Sequence, residues 1–173
     1  VPSLDTTVEG WFEPLRGRPA ADAAAKVVSN LSDYGLAWSV VAAVKGRRPG
    51  PGRRRAARAL AMAGVSSFTL NALIKRAVGR TRPEGAHEPA GVRAPTSSSF
   101  PSGHTLAAFC TAVTMADSGA ELAAYLGFAA AVGASRVQLR AHHPTDVVGG
   151  AVIGAGLGLA LRRVGECRRP GRR

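Results

Sequence analysis

Residues 135–161 read SRVQLRAHHPTDVVGGAVIGAGLGLAL. The stretch opens on Ser135-Arg136, passes His142 and Asp146, and runs into an uncharged apolar segment, Val147–Leu161. Gly150, Gly154 and Gly158 recur there at four-residue spacing, the small-xxx-small pattern of closely packed membrane helices. One piece of chain thus joins polar chemistry to a membrane-type helix. Two strings upstream do the same. Lys75 closes the apolar segment Ala59–Ile74 and is followed by Arg82-Pro83. Pro101-Ser102-Gly103-His104 opens the segment Thr105–Ala116.

Two more apolar segments, Leu31–Val44 and Leu122–Ala134, make five. Each is shorter than the roughly 20 apolar residues of a spanning helix. Mean hydropathy is only +0.03, so a tightly packed soluble helical bundle is the competing expectation. Against it, motif residues form the ends of several segments, so the helices extend beyond their uncharged parts. Ala and Gly also score as weakly apolar while favouring close packing. The expected fold is all-α: a membrane-embedded helical bundle of about five spanning helices. A pair of N-terminal interfacial helices is expected in 1–30, where Trp11 and Phe12 lie beside charges. With 173 residues and no internal repeat, the chain reads as a single domain, 1–173. Loop 76–101 holds Pro83, Gly85, Pro89, Gly91, Pro95, Pro101 and the run Ser97–Ser99. It reads as an ordered lid or substrate rim.

Lys and Arg number 23 against 11 acids, a formal net charge of +12. That balance invites nucleic acid. However, the cations sit in blocks between apolar segments, and aromatics for base stacking are only 5% of the chain. No nucleic-acid partner is expected. The block from Lys45 to Arg58 has no acid, and the cations from Arg162 through the tail 164–173 face Glu166 alone. With five spans both fall on one side, which the positive-inside rule makes the cytoplasm. All three polar strings then lie on the extracytoplasmic face of a multi-pass protein of the cell membrane. Cys110 and Cys167 read as separate free thiols. No His, Cys or carboxylate group repeats at ligand spacing, so neither metal nor cofactor is expected. Val1–Gly10 has no basic region followed by an apolar core, so no cleavable signal peptide is expected.

The three strings contain the parts of phosphoryl transfer: an in-line nucleophile, a proton for the leaving oxygen, and positive charge around three equatorial oxygens. His142 is the candidate nucleophile, since a neutral imidazole attacks phosphorus without first losing a proton. Asp146, four residues on, can fix its tautomer and stabilise the resulting cation, or cap the helix that begins there. His104 is the candidate general acid. Ser102 and Gly103 precede it at a helix N-terminus, where backbone N–H groups and the helix dipole favour phosphate; a plain capping role for Ser102 is the alternative. Lys75, Arg82 and Arg136 are the candidate phosphate clamp. Arg76, Arg80 and Arg140 read as headgroup contacts or contacts to a second phosphate, His143 as a rim residue, His87 as exposed, and Trp38 and Tyr125 as packing or lipid-facing residues.

Taken together, Lys75-x6-Arg82-Pro83, Pro101-Ser102-Gly103-His104 and Ser135-Arg136-x5-His142-x3-Asp146 resemble the three-part signature of the type 2 phosphatidic acid phosphatase (PAP2) superfamily. Every signature position is filled across 75–146. The resemblance implies that Lys75, Arg82, Ser102, Gly103, His104, Arg136, His142 and Asp146 form a metal-independent site working through a phosphohistidine. It further implies an integral-membrane lipid phosphatase acting on a phosphate monoester or diphosphate. A polyprenyl diphosphate or a polyprenyl-linked sugar phosphate, such as a decaprenyl-linked phosphoribose, is the favoured substrate. Phosphatidic acid and phosphatidylglycerol phosphate remain open. So do a soluble acid phosphatase or vanadium haloperoxidase-like enzyme, and a non-enzymatic protein binding anionic lipid through its arginine blocks.

Overall fold

The computed structural model of the chain describes residues 3–47, 50–65, 69–84 and 97–167. Arg48, His87, the middle of loop 76–101 and the tail from Arg168 lie outside them. The described residues are helical, with no strand among them. Eight α-helices follow in order: α1 Leu4–Phe12, α2 Pro19–Ser32, α3 Leu36–Gly46, α4 Pro51–Val65, α5 Asn71–Val78, α6 Gly103–Met115, α7 Gly119–Gln138 and α8 Pro144–Cys167. Short 3-10 turns follow α1 and α2. The N-termini carry the expected chemistry. Ser3 Oγ accepts the Thr6 N–H ahead of α1, and Ser118 Oγ accepts the Glu121 N–H ahead of α7. Pro19 starts α2, where its missing N–H costs nothing.

Helix α6 is the centre of the bundle. It packs on α8, α7 and α4, and its residues from Cys110 to Met115 are all buried. A helix buried on many sides packs best through small residues: Ala108 and Ala112 on α6 meet a core that includes Ala42, Ala56, Ala59 and Ala129. Trp38 belongs to the same alanine-rich core. It is 4% exposed and meets the rings of Tyr125 and Phe128 edge-on at 5.6 and 5.5 Å.

The α6–α8 contact is closer than side chains permit. A Cβ on Gly150 would lie 2.6 Å from the Ser102 carbonyl oxygen, one on Gly158 2.9 Å from that of Cys110, and one on Gly154 would overlap the Leu106 carbonyl. The glycine stripe legible in the sequence is therefore the face of α8 on which α6 lies. Because both helices start at the same end, this contact holds Ser102–His104 beside Asp146.

One of the five apolar segments is not a single helix. Leu31–Val44 breaks after Ser32: the chain turns at Asp33–Gly35, with Gly35 left-handed at φ +69, and α3 leaves at 55° to α2. A hydropathy sum adds apolar residues across such a bend without sensing it. Ala59–Ile74 holds the end of α4 and the start of α5, with 66–68 outside the described residues. The other three segments match α6, α7 and α8, each lengthened by its motif residues. Among the described residues, Pro144–Val164 alone is long and apolar enough to cross a membrane as one helix, and α2 with α3 passes as a bent pair. Apolar side chains point outward in rows: Leu36, Val40 and Val44 on α3, and Val148, Val152 and Leu159 on α8, with Val152 at 67% exposure.

Candidate active site

The C-terminal end of α7, the N-terminal ends of α6 and α8, and the end of α5 with the segment after it meet at one end of the bundle. Arg136, in the last turn of α7, organises the turn that follows. Its carbonyl accepts the N–H groups of Ala141 (3.0 Å) and His142 (3.2 Å), and Arg140 takes a left-handed conformation (φ 52) that reverses the chain. His142 is thereby held just before α8, with 3% exposure.

The ring of His142 has a defined tautomer. Its Nδ1 lies 2.7 Å from the Ser99 carbonyl oxygen. A carbonyl only accepts, so Nδ1 carries the proton and Nε2 the lone pair. Asp146 was expected to do this. Its Oδ2 stands 3.7 Å from Nδ1, beyond hydrogen-bond range, and instead accepts the His143 N–H at 2.9 Å. The fully buried Asp146 carboxylate acts on the imidazole through its charge and pins the turn. Burial disfavours the imidazolium of His142. Asp146 opposes that, Arg82, Arg136 and Lys75 add to it, and the pKa is pushed down to about 4.

Segment 80–82 and segment 98–99 are laced together. Ser99 N–H donates to the Arg80 carbonyl at 2.8 Å, Ser99 Oγ to that of Thr81 at 2.9 Å, and Arg80 N–H to Ser98 Oγ at 2.9 Å. The serine run is thus a staple closing the two ends of the loop, and it sets the Ser99 carbonyl against His142. The same segment delivers Arg82, whose Nη1 donates to the Ala141 carbonyl at 2.7 Å. Arg136 Nη1 donates to Ser29 Oγ on α2, while its Nε–H is buried without a partner among the described residues. Lys75, in the last turn of α5, lies within electrostatic reach of Arg82, Arg136 and Asp146.

At the start of α6, the Ser102 N–H donates to the Asp146 carbonyl at 3.0 Å, and Ser102 Oγ accepts the Thr105 hydroxyl at 2.9 Å. The Ser102 side chain makes no capping bond to the helix, so the plain capping role does not apply. His104 follows one residue after Gly103, and its Nε2 lies 2.6 Å from Asp33 Oδ1. Both His104 and His142 feel the charges of Arg136 and Lys75. All eight residues singled out from the sequence therefore fall at this end of the molecule. Two imidazoles and three cations lie there within electrostatic reach of one another. That set can hold a tetrahedral anion, attack it from a neutral nitrogen, and supply a proton. No group of three or more potential metal ligands occurs among the described residues.

The profile of the PAP2 superfamily matches residues 55–169. The chain belongs to the PAP2 superfamily. It is 32% identical over 163 residues to decaprenylphosphoryl-5-phosphoribose phosphatase of Mycobacterium tuberculosis, covering 92% of this chain and 89% of that one. The protein of the same description from Mycolicibacterium smegmatis is 33% identical over 136 residues, 79% of this chain and 74% of that one. Among solved structures, a transmembrane PAP2-type phosphatidylglycerolphosphate phosphatase of Bacillus subtilis superposes with a TM-score of 0.77 at 24% identity, covering 97% of this chain and 87% of that one.

Sequence reading missed several groups in this PAP2 phosphatase. Arg80, taken for a headgroup contact, bridges Asp146 Oδ1 (2.8 Å), Thr145 Oγ1 (2.6 Å) and Asp5 Oδ2 (2.6 Å). It is the counter-ion of the buried carboxylate. The acids of α1 and of the 3-10 turn after it were not considered at all. Asp5 accepts the Thr145 N–H at 2.8 Å, Glu9 meets His143 Nδ1 at 2.9 Å, and Glu13 accepts from Arg140 at 3.0 Å. Their spacing of four residues, one stripe on a helix, was the available signal. It shows which cations near the PAP2 site already have a carboxylate partner within the chain: Arg80 and Arg140. Ser29 and Asp33 were missed too. Only the presence of a carboxylate inside an otherwise uncharged segment marked Asp33.

Proposed function

We propose that this PAP2 phosphatase hydrolyses the phosphate monoester of a lipid carrier, with a polyprenyl-linked sugar phosphate as the leading substrate, through a phosphohistidine on His142. The observation that carries the mechanism is the His142 ring: its Nδ1–H is tied to a backbone carbonyl, and it is neutral amid three cations. Nε2 attacks phosphorus. Lys75, Arg82 and Arg136 take the equatorial oxygens, and the buried Nε–H of Arg136 offers one a donor. His104 protonates the departing oxygen, then accepts a proton from the water that releases phosphate. Gly103 lets the start of α6 approach the anion, Ser102 holds that start against Asp146, and Asp146 stabilises the phosphorylated ring. The sugar-phosphate branch is favoured by the two mycobacterial relatives, which match over most of their length.

The chain is read as a single domain, 1–173, spanning the membrane several times, with residues 1–30 at the interface and 164–173 as a cytoplasmic tail. Two features support this. Rows of valine and leucine face outward on α3 and α8, where a lipid surface would cover them. Lys45 reaches Asp117 (2.8 Å) and Glu121 (2.6 Å), and Arg162 donates to the Val113 carbonyl at 2.9 Å. The basic connections thus gather at the C-terminal end of α6, opposite the histidines, as an extracytoplasmic site requires.

The test is phosphate release by purified protein, with chelator present. The panel is decaprenylphosphoryl-5-phosphoribose, polyprenyl phosphate, polyprenyl diphosphate, phosphatidic acid and phosphatidylglycerol phosphate. The sugar-linked phosphate is expected to turn over fastest, and His142→Ala to abolish release on every substrate. Release that survives His142→Ala, or that requires an added divalent cation, rules out the histidine mechanism.

A further inference from the structure

Asp33 is a carboxylate that no signature string contains, and the bend between α2 and α3 delivers it to the site. The turn Asp33–Gly35, with Gly35 left-handed, swings the chain by 55° and leaves Asp33 projecting toward the first turn of α6, 71 residues further on. There Oδ1 lies 2.6 Å from His104 Nε2. A carboxylate only accepts, so Nε2 holds a proton whether the ring is neutral or charged. A proton to be transferred must then leave from Nδ1, which has no protein partner among the described residues. Burial foremost, then Arg136 and Lys75, disfavour positive charge on this imidazole, and Asp33 is the opposing charge. The same end of α2 also supplies Ser29 to Arg136, so it braces both a cation and a histidine of the site.

We propose that Asp33 is the positioning residue of the general acid, fixing the rotation of the His104 ring and favouring the imidazolium whose Nδ1 protonates the leaving oxygen. This rests on the reading of His104 as that acid. In the step, the lone pair of His142 Nε2 forms the N–P bond as the P–O bond to the leaving group breaks. The electron pair of the broken bond stays on the leaving oxygen, which takes the Nδ1 proton. His104 ends neutral, with its Nε2–H still on Asp33. Water then attacks phosphorus and gives a proton to His104 Nδ1, restoring that imidazolium, while the N–P bond breaks and its electron pair returns to His142 Nε2.

A purely structural staple between α2 and α6 would affect all substrates alike. In the phosphoryl-transfer step, a group acting through the acid matters only when the leaving oxygen needs a proton, and kcat/KM reports that step without the later attack of water. The experiment measures kcat/KM of the full chain in detergent on dodecyl phosphate, a poor leaving group, and on p-nitrophenyl phosphate, whose phenolate departs readily. The ratio of the two rates does not depend on how much protein is folded. Asp33→Asn is expected to slow dodecyl phosphate about 10- to 100-fold while p-nitrophenyl phosphate changes by less than about 3-fold. His104→Ala is expected to show the same selectivity with a larger loss, roughly 100- to 10,000-fold. An Asp33→Asn that slows both substrates equally, or neither, beside a selective His104→Ala, overturns the role of Asp33 and leaves the acid assignment standing. A His104→Ala that is itself unselective removes that assignment, and the role of Asp33 with it.

Discussion

The proposed nucleophile, His142, can attack only while it is neutral, and burial and three nearby cations keep it so down to a pKa of about 4. The ordinary histidine value is 6.5. The sign follows from proton binding. Between pH 4 and 6.5 the unfolded chain binds a proton at this position and the folded chain does not. Stability from His142 is therefore fully present above 6.5 and is lost as pH falls toward 4, by about 3 kcal/mol in all. Ring-nitrogen NMR on labelled protein should find His142 neutral at pH 5, and His142→Asn should flatten the acid side of the stability curve. A His142 resonance titrating near 6.5 would contradict the desolvated site. At this scale the residues that gather at one end of the bundle were legible, because the proposed chemistry demands particular side chains at particular spacings. Their partners were not. Ser99 acts through a backbone carbonyl, which any residue possesses. Arg80 looked like one more basic residue among many until its three oxygen partners were seen. Without Arg80 the Asp146 carboxylate would stand buried and unpaired, a loss of about 3–5 kcal/mol.

Helices α6, α7 and α8 were legible because their apolar runs are unbroken and polar motifs mark their ends. The α2–α3 bend was not, since Asp33-Tyr34-Gly35 interrupts the run by only one charge while Gly35 redirects the backbone. Nor was the role of α1: its acidic stripe makes sense only beside Arg80, His143 and Arg140, and those are brought close by the whole fold. The glycine stripe of α8 was legible as a packing face, but its partner was not. That partner is α6, and the contact carries function as well as stability. Gly154→Ala sets a methyl group against the Leu106 carbonyl, and backbone cannot yield as a side-chain tip does. The helices must part, and Ser102 loses its 3.0 Å bond to the Asp146 carbonyl. Overpacking of this kind costs about 1–3 kcal/mol. The expected result is a lower melting temperature in detergent together with a loss of phosphate release. Gly156, whose added Cβ meets nothing within 4 Å, is the control: Gly156→Ala should leave both unchanged. Equal behaviour of the two variants would mean that the α6–α8 approach does not govern the site.

Over the whole molecule, cations gather at both ends of the bundle, in different settings. One end concentrates Lys75, Arg82 and Arg136 around a space for an anion; the other gathers the basic connection after α3 and the end of α8 about the α6–α7 turn. Lys45 stitches that end by bonding Asp117, Glu121 and the Met115 carbonyl at 2.8, 2.6 and 3.0 Å. The separation is about the length of α6, whose 13 residues rise roughly 20 Å. That is less than the hydrocarbon core of about 30 Å, so the site would sit below the outer interface, at the depth of a lipid phosphate drawn slightly inward. Sidedness then has a direct readout. In a background with Cys110→Ala and Cys167→Ala, Ala120→Cys marks the exposed start of α7 and Glu84→Cys the exposed segment beyond Arg82. A membrane-impermeant thiol reagent applied to intact cells should label Glu84→Cys at once and Ala120→Cys only after the membrane is opened. Labelling of both from outside would place the two ends on one side of the bilayer and remove the basis for an extracytoplasmic site. Labelling of Ala120→Cys alone would keep the crossing but invert it, so that phosphate would be released into the cytoplasm.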